Sequence, residues 1–122
     1  MKPISDLESI CKRIVKTDPK IRFAGIISDK GRLLAGHKKV GIKFLVNEKN
    51  HEMLFMGVAL KERMRREYDE QLGPVDFTVS HRAKCVIMGF RFGEDILYVS
   101  AEKDVDLTKV TSTIMEIINA KI

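Results

Sequence analysis

The sequence predicts an α+β fold, a single five-stranded antiparallel sheet laid out in the order α-β-β-α-β-β-β-α. Three observations lead there. Apolar residues recur every three or four positions near both ends of the chain, as on amphipathic helices. The segment FAGIISDKGRLLAG (23–36) reads as a tight hairpin, with turn residues between two apolar runs. A proline-free run from Asn47 to Leu72 then separates that hairpin from three close-set strand segments.

Each element follows from its own pattern. Ile4, Leu7, Ile10, Cys11, Ile14 and Val15 form one helical stripe, and Ser5 with Glu8 has the form of a capping box, so a first helix is expected from about Asp6 to Lys16. Asp18-Pro19 forces extended backbone, because the residue before a proline is pushed out of the α region. Ile21 to Ser28 and Arg32 to Lys38 are the hairpin strands, joined by Asp29-Lys30-Gly31. Asn47 to Leu72 reads as one helix of about 25 residues, roughly 37 Å long at 1.5 Å per residue, ended by Gly73-Pro74. Val75, Phe77, Val79 and His81 alternate with polar residues, as in a strand with one face on the core. Cys85 to Phe92 is apolar on both faces and belongs inside the sheet, and Gly93-Glu94-Asp95 turns it into Ile96 to Ala101. Asp106 caps a last helix carrying Leu107, Val110, Ile114, Ile117 and Ile118 on one face.

Composition narrows the class. A chain of 122 residues that is 44% hydrophobic suits one domain over residues 1–122 with a core of its own. Its net charge of +5 comes from 22 basic residues against 17 acidic ones, a mixed pattern that permits nucleic acid without indicating it. The lysine clusters around His37-Lys38-Lys39 and Lys43 have no neighbouring run of aromatics to stack bases, which disfavours nucleic-acid binding. Cys11 and Cys85 lie far apart in apolar surroundings and read as reduced, buried thiols. The opening MKPISDLES lacks the apolar core of a signal peptide, and no apolar run reaches the roughly 20 residues of a membrane span, so a cytoplasmic protein is expected.

Chemistry is conspicuous by its absence. There is no phosphate-binding GxxxxGK[ST] and no GxGxxG after a strand. His51-Glu52 opens like a zinc-protease HExxH, but Phe55 stands where the second ligand belongs. No catalytic residue, cofactor or metal is expected. A Cys85 thiol activated by His81 is outweighed by a buried, inert thiol at the start of an apolar strand. Arg63, Arg65 and Arg66, with Arg82 and Lys84, form either a cationic patch or a solvated face, and the interleaved Glu62, Glu67, Asp69 and Glu70 favour the latter. The segment from Met53 to Leu60 is apolar at nearly every position, more than one sheet face can cover.

The hairpin Ala24-Gly25-Ile26-Ile27-Ser28-Asp29-Lys30-Gly31-Arg32-Leu33-Leu34-Ala35 and the last turn and strand Gly93-Glu94-Asp95-Ile96-Leu97-Tyr98-Val99 carry a likeness that spans nearly the whole chain. Together with the element order, they make the sequence similar to the roadblock/dynein-light-chain family, relatives of longin and profilin-like domains. The lysine-rich Gly36 to Val46 connection and the charged end of the second helix depart from the family and point to an archaeal branch.

That resemblance implies a sheet with the second helix on one face and the first and last helices on the other. It also implies a homodimer in which second helices pack together and third strands pair edge to edge, a non-enzymatic platform for a small Ras-like GTPase or a larger scaffold. Phe55, Met56, Ala59 and Arg63 are then the expected outward face of the second helix, with Phe77 and Val79 on the paired strand, and Arg63, Arg66, Arg82 and Lys84 steer the partner. The rival reading is a small-ligand sensor, with Phe90, Phe92, Tyr98 and the methionines lining a pocket between sheet and second helix.

Overall fold

The computed structural model describes residues 3–121. Among them the helices are α1 (Ile4–Lys16), α2 (Glu48–Arg66), α3 (Asp69–Leu72) and α4 (Leu107–Lys121). The strands are β1 (Ile21–Ile27), β2 (Leu33–Lys38), β3 (Phe77–His81), β4 (Val86–Phe92) and β5 (Asp95–Ala101). They form one antiparallel sheet in the order β2-β1-β5-β4-β3, so the short, half-polar β3 is an edge and the mostly apolar β4 and β5 are interior.

Side-chain alternation sends the sheet's two faces into separate cores. Val86, Met88, Phe90 and Phe92 of β4 join Ala24 and Ile26 of β1 and Leu97 and Val99 of β5 in the larger core under α1 and α4. On the opposite face Phe23, Ile27 and Tyr98 pack against Phe55 of α2, with Leu54, Val58 and Ile87 at the border. A register shift between Ile21 and Phe23 in the β1–β5 pairing is what places Ile21 in the first core and Phe23 in the second. The paired Gly25 and Gly36 leave the trough in which the Phe23 ring lies, since a Cβ at either would come within 2.8 Å of that ring.

Two local expectations fail for physical reasons. Pro3 is the N-cap of α1, which suits a residue with no N–H to satisfy, so Ser5 lies inside the helix and its carbonyl accepts from the Ser9 hydroxyl at 3.0 Å. The capping box of Ser5 and Glu8 therefore does not form. The long second helix is interrupted at Glu67 and Tyr68, where the amides bond three residues back, to Met64 and Arg65. Just after the break, Arg91 of β4 holds the Asp69 carboxylate at 2.8 Å and anchors α3 against the sheet. By contrast Asp106 caps α4 as expected, accepting from the Lys109 amide at 3.1 Å.

The connection from β2 to α2 is fixed to the sheet by Arg22. One guanidinium nitrogen pairs with Glu102 at 2.9 Å, and another donates to the Lys43 carbonyl at 2.7 Å. The Lys39 amide donates to the Arg22 carbonyl, and Phe44 is carried over Phe23 with their rings edge to face at 5.4 Å.

Candidate functional site

Helix α2 is apolar on two opposite sides. At 3.6 residues per turn, Phe55, Val58, Ala59 and Glu62 fall in an arc of about 100° that faces the sheet, while Met53, Met56, Gly57, Leu60 and Met64 occupy a similar arc on the far side. Those three methionines and Leu60 each expose more than half of their surface. The residues expected on the outward face of α2 divide between its two sides. Met56 and Arg63 are exposed, but Phe55 and Ala59 are only 4% and 1% exposed and belong to the chain's own core. Phe55 is drawn inward by aromatic partners, stacking on His51 at 5.5 Å and meeting Tyr98 edge to face at 5.2 Å.

On the flank of α2 toward β4, Leu54 and Val58 are only partly buried against Ile87. Beside them Gly57 would have nothing within 4 Å of an added Cβ. Across β4, strand β3 turns Thr78 and Ser80 to this face, opposite Gly89 and Ile87, so the floor beside α2 is low and polar. Phe77 and Val79 point to the other face, opposite Phe90 and Met88, and are each about 40% exposed at the sheet's edge.

The four expected steering cations do not form one patch. Arg66 turns back, donating to the Glu94 carbonyl at 3.3 Å and approaching the buried Glu62 carboxylate at 3.8 Å. Arg63 is exposed on α2, whereas Arg82 and Lys84 are exposed in the β3–β4 turn beside the first turns of the helix. Twelve helical residues, about 18 Å, separate those turns from Arg63 and Arg66.

A hollow of about 420 Å³ opens between that β3–β4 turn and the N-terminal half of α2. Phe23, Phe55, Tyr98 and Ile87 form its floor, Ile42 and Phe44 its roof, and Arg82, Lys84 and Cys85 its mouth. Tyr98, which the sequence offers for such a pocket, lines it. Phe90 and Phe92 lie instead in the core under α1 and α4, because their positions in β4 alternate away from α2. Phe23 and Phe44 were missed, for they reach the site only through the β1 register shift and the tether on Lys43. Burial, opposed by the charge of Arg82, pushes the Tyr98 hydroxyl up to about 12, the Cys85 side chain adding to the rise.

The thiols differ. Cys11 is fully buried and burial pushes it up to about 11, while Cys85 is partly exposed at the hollow's mouth. Cys85 is not activated by His81, whose Nδ1 meets the Lys103 ammonium at 3.0 Å. Treatment of the native protein with a maleimide should modify one thiol, Cys85, and the second only after unfolding. Peptide mapping that found Cys11 labelled in the native state would refute this burial. Among the described residues no group of His, Cys, Asp and Glu is placed to hold a metal ion, and no helix is long and apolar enough to cross a membrane.

Residues 2–121 match the model of a family described as of unknown function, DUF6659. No curated protein matches the chain by sequence. Solved structures supply the fold. The roadblock/LC7 domain from Streptomyces avermitilis superposes with a TM-score of 0.73 at 14% identity, over 93% of this chain and 92% of that one. The gliding protein MglB from Thermus thermophilus gives 0.72 at 14% identity, over 98% and 93%. Profilin of Schizosaccharomyces pombe gives 0.63 at 13% identity, over 94% and 98%, so the wider profilin-like layout is shared as well.

Proposed function

The chain belongs to the DUF6659 family, and we propose that within it this protein is a non-enzymatic homodimeric module that presents a joint surface to a partner protein, a small Ras-like GTPase by the roadblock resemblance. The observation that carries the reading is Gly57. A glycine in a helix interior costs about 1 kcal/mol relative to alanine, and nothing among the described residues occupies the space its missing side chain leaves. A second helix passing close by gives that space a purpose. The exposed Met53, Met56, Leu60 and Met64 around it are apolar surface of the kind that marks a protein contact.

Strand β3 supplies the geometry. Among the described residues its outer edge has no strand beside it, and pairing with a second β3 about a two-fold axis normal to the sheet would extend the sheet to ten strands, twice the five described. Such an axis keeps both copies of α2 on the same face. The low floor of Thr78 and Ser80 then lets them close against each other through Leu54, Gly57, Val58 and Met64.

Gly57→Arg separates this reading from a folding defect. Arginine favours the helix and points into open space, so the variant should melt no lower than the parent when both are monomeric. Light scattering coupled to size exclusion should find a dimer for the parent, stable in high salt, and a monomer for the variant. A parent that is monomeric at every concentration overturns the dimer. Pull-downs against the host's small GTPases in both nucleotide states test the partner class, and no enrichment in either state counts against it.

A further inference from the structure

We propose that the hollow roofed by Phe44 is a binding site for a small amphiphilic anion, a molecule with a flat apolar body and one carboxylate, sulfonate or phosphate group. The inference goes beyond the dimer and does not depend on it, because every wall comes from a single chain. At about 420 Å³ the space lies in the lower part of the roughly 300–1,000 Å³ of small-molecule sites. Its floor is made of aromatic rings held by one another, Tyr98 meeting Phe55 at 5.2 Å and Phe23 at 6.2 Å between centroids. Rings fixed in this way present apolar surface that a flat ligand covers without ordering a mobile side chain.

The charge of the site selects the ligand's other end. Among the described residues that line the hollow none is acidic, while Arg82 and Lys84 flank the mouth and join no ion pair. Arg22 also lines it, but its guanidinium is committed to Glu102 and the Lys43 carbonyl and serves as wall. Tyr98 also lines the hollow, and its hydroxyl has no protein hydrogen-bond partner among the described residues. An anionic group at the mouth meets two cations, and the apolar body fills the aromatic floor.

The test uses the full chain and 8-anilinonaphthalene-1-sulfonate, an anionic aromatic dye, with uncharged N-phenyl-1-naphthylamine as its control. The sulfonate should bind once per chain and slow maleimide modification of Cys85 at least about tenfold, since an occupied mouth covers that thiol. Reversing both cations, Arg82→Glu with Lys84→Glu, should weaken the sulfonate by about tenfold or more and leave the uncharged dye unchanged. Both cations are exposed, so the melting temperature should hold. If it falls, Arg82→Gln with Lys84→Gln makes the same comparison. Dye binding that leaves Cys85 reactive, as on the methionine face of α2, overturns the proposal, and so does equal sulfonate affinity in the charge-altered chain. Leu54 lines the hollow and also stands in the proposed seam, so each comparison is made in the Gly57→Arg background, and loss of the dimer and loss of this site are separately visible.

Discussion

Phe55→Ala is expected to lose about 3–5 kcal/mol of folding stability, while Met56→Ala, one residue away, should lose roughly 0.5 kcal/mol or less. The two side chains are similar in size and adjacent in sequence, yet lie on opposite faces of α2. Phe55 is 4% exposed among Phe23, His51 and Tyr98, and its truncation leaves a cavity that neighbouring rings, held edge to face, cannot collapse to fill. Met56 is 59% exposed, and its removal costs little in a monomer. Urea melts should be made in the Gly57→Arg background, because a dimer adds concentration-dependent stability that would hide the difference. The order of the two losses is the diagnostic quantity. Equal losses, or the larger at Met56, would mean that α2 is rotated from the orientation described.

That pair also shows where the sequence ceases to be informative. Strands were legible because their patterns contrast with their surroundings. The alternation of Val75 to Arg82 marks a strand and the doubly apolar run of Cys85 to Phe92 an interior one, and β3 and β4 form there, although Phe77 and Val79 of β3 are only partly covered. The stretch from Met53 to Leu60 has no such contrast. With apolar residues nearly all round, a helical period does not decide which arc faces inward, and the choice falls to Phe23 and Tyr98, which are remote in sequence. The break at Glu67 and Tyr68 carries no proline or glycine, and the contact that holds α3 just after it, Arg91 with Asp69, spans 22 residues. The hollow is more remote still. Its mouth, floor and roof come from the β3–β4 turn, three strands, α2 and the segment after β2, and of the residues lining it the sequence offers only Tyr98 for a pocket. Arg82 and Lys84 were read as steering a protein partner, and their place at the mouth could not be inferred from spacing.

The hairpin turn offers the second large effect. Gly31→Ala should destabilise by roughly 2–4 kcal/mol, from backbone strain and steric conflict together. Gly31 has φ of +86°, where a side chain is strained, and its added Cβ would lie 2.6 Å from the Cα of Met56 and 2.9 Å from its amide nitrogen. These are main-chain atoms of α2, so no rotamer change relieves the overlap. Either the turn lifts or the helix moves. Gly93→Ala separates the two contributions, because Gly93 has φ of +62° and nothing within 4 Å of the added Cβ. It should lose only the left-handed strain, about 1 kcal/mol, and the excess at Gly31 measures how firmly turn and helix are pressed together. Hydrogen exchange gives the site of the damage. Gly31→Ala should lower protection in α2 around Met56, while Gly93→Ala should leave α2 as protected as in the parent. Equal melting losses with unchanged protection in α2 would show that the turn does not rest on the helix. The pressed contact fixes the height of α2 above the sheet, and with it both the outward face around Gly57 and the width of the hollow beneath Phe44.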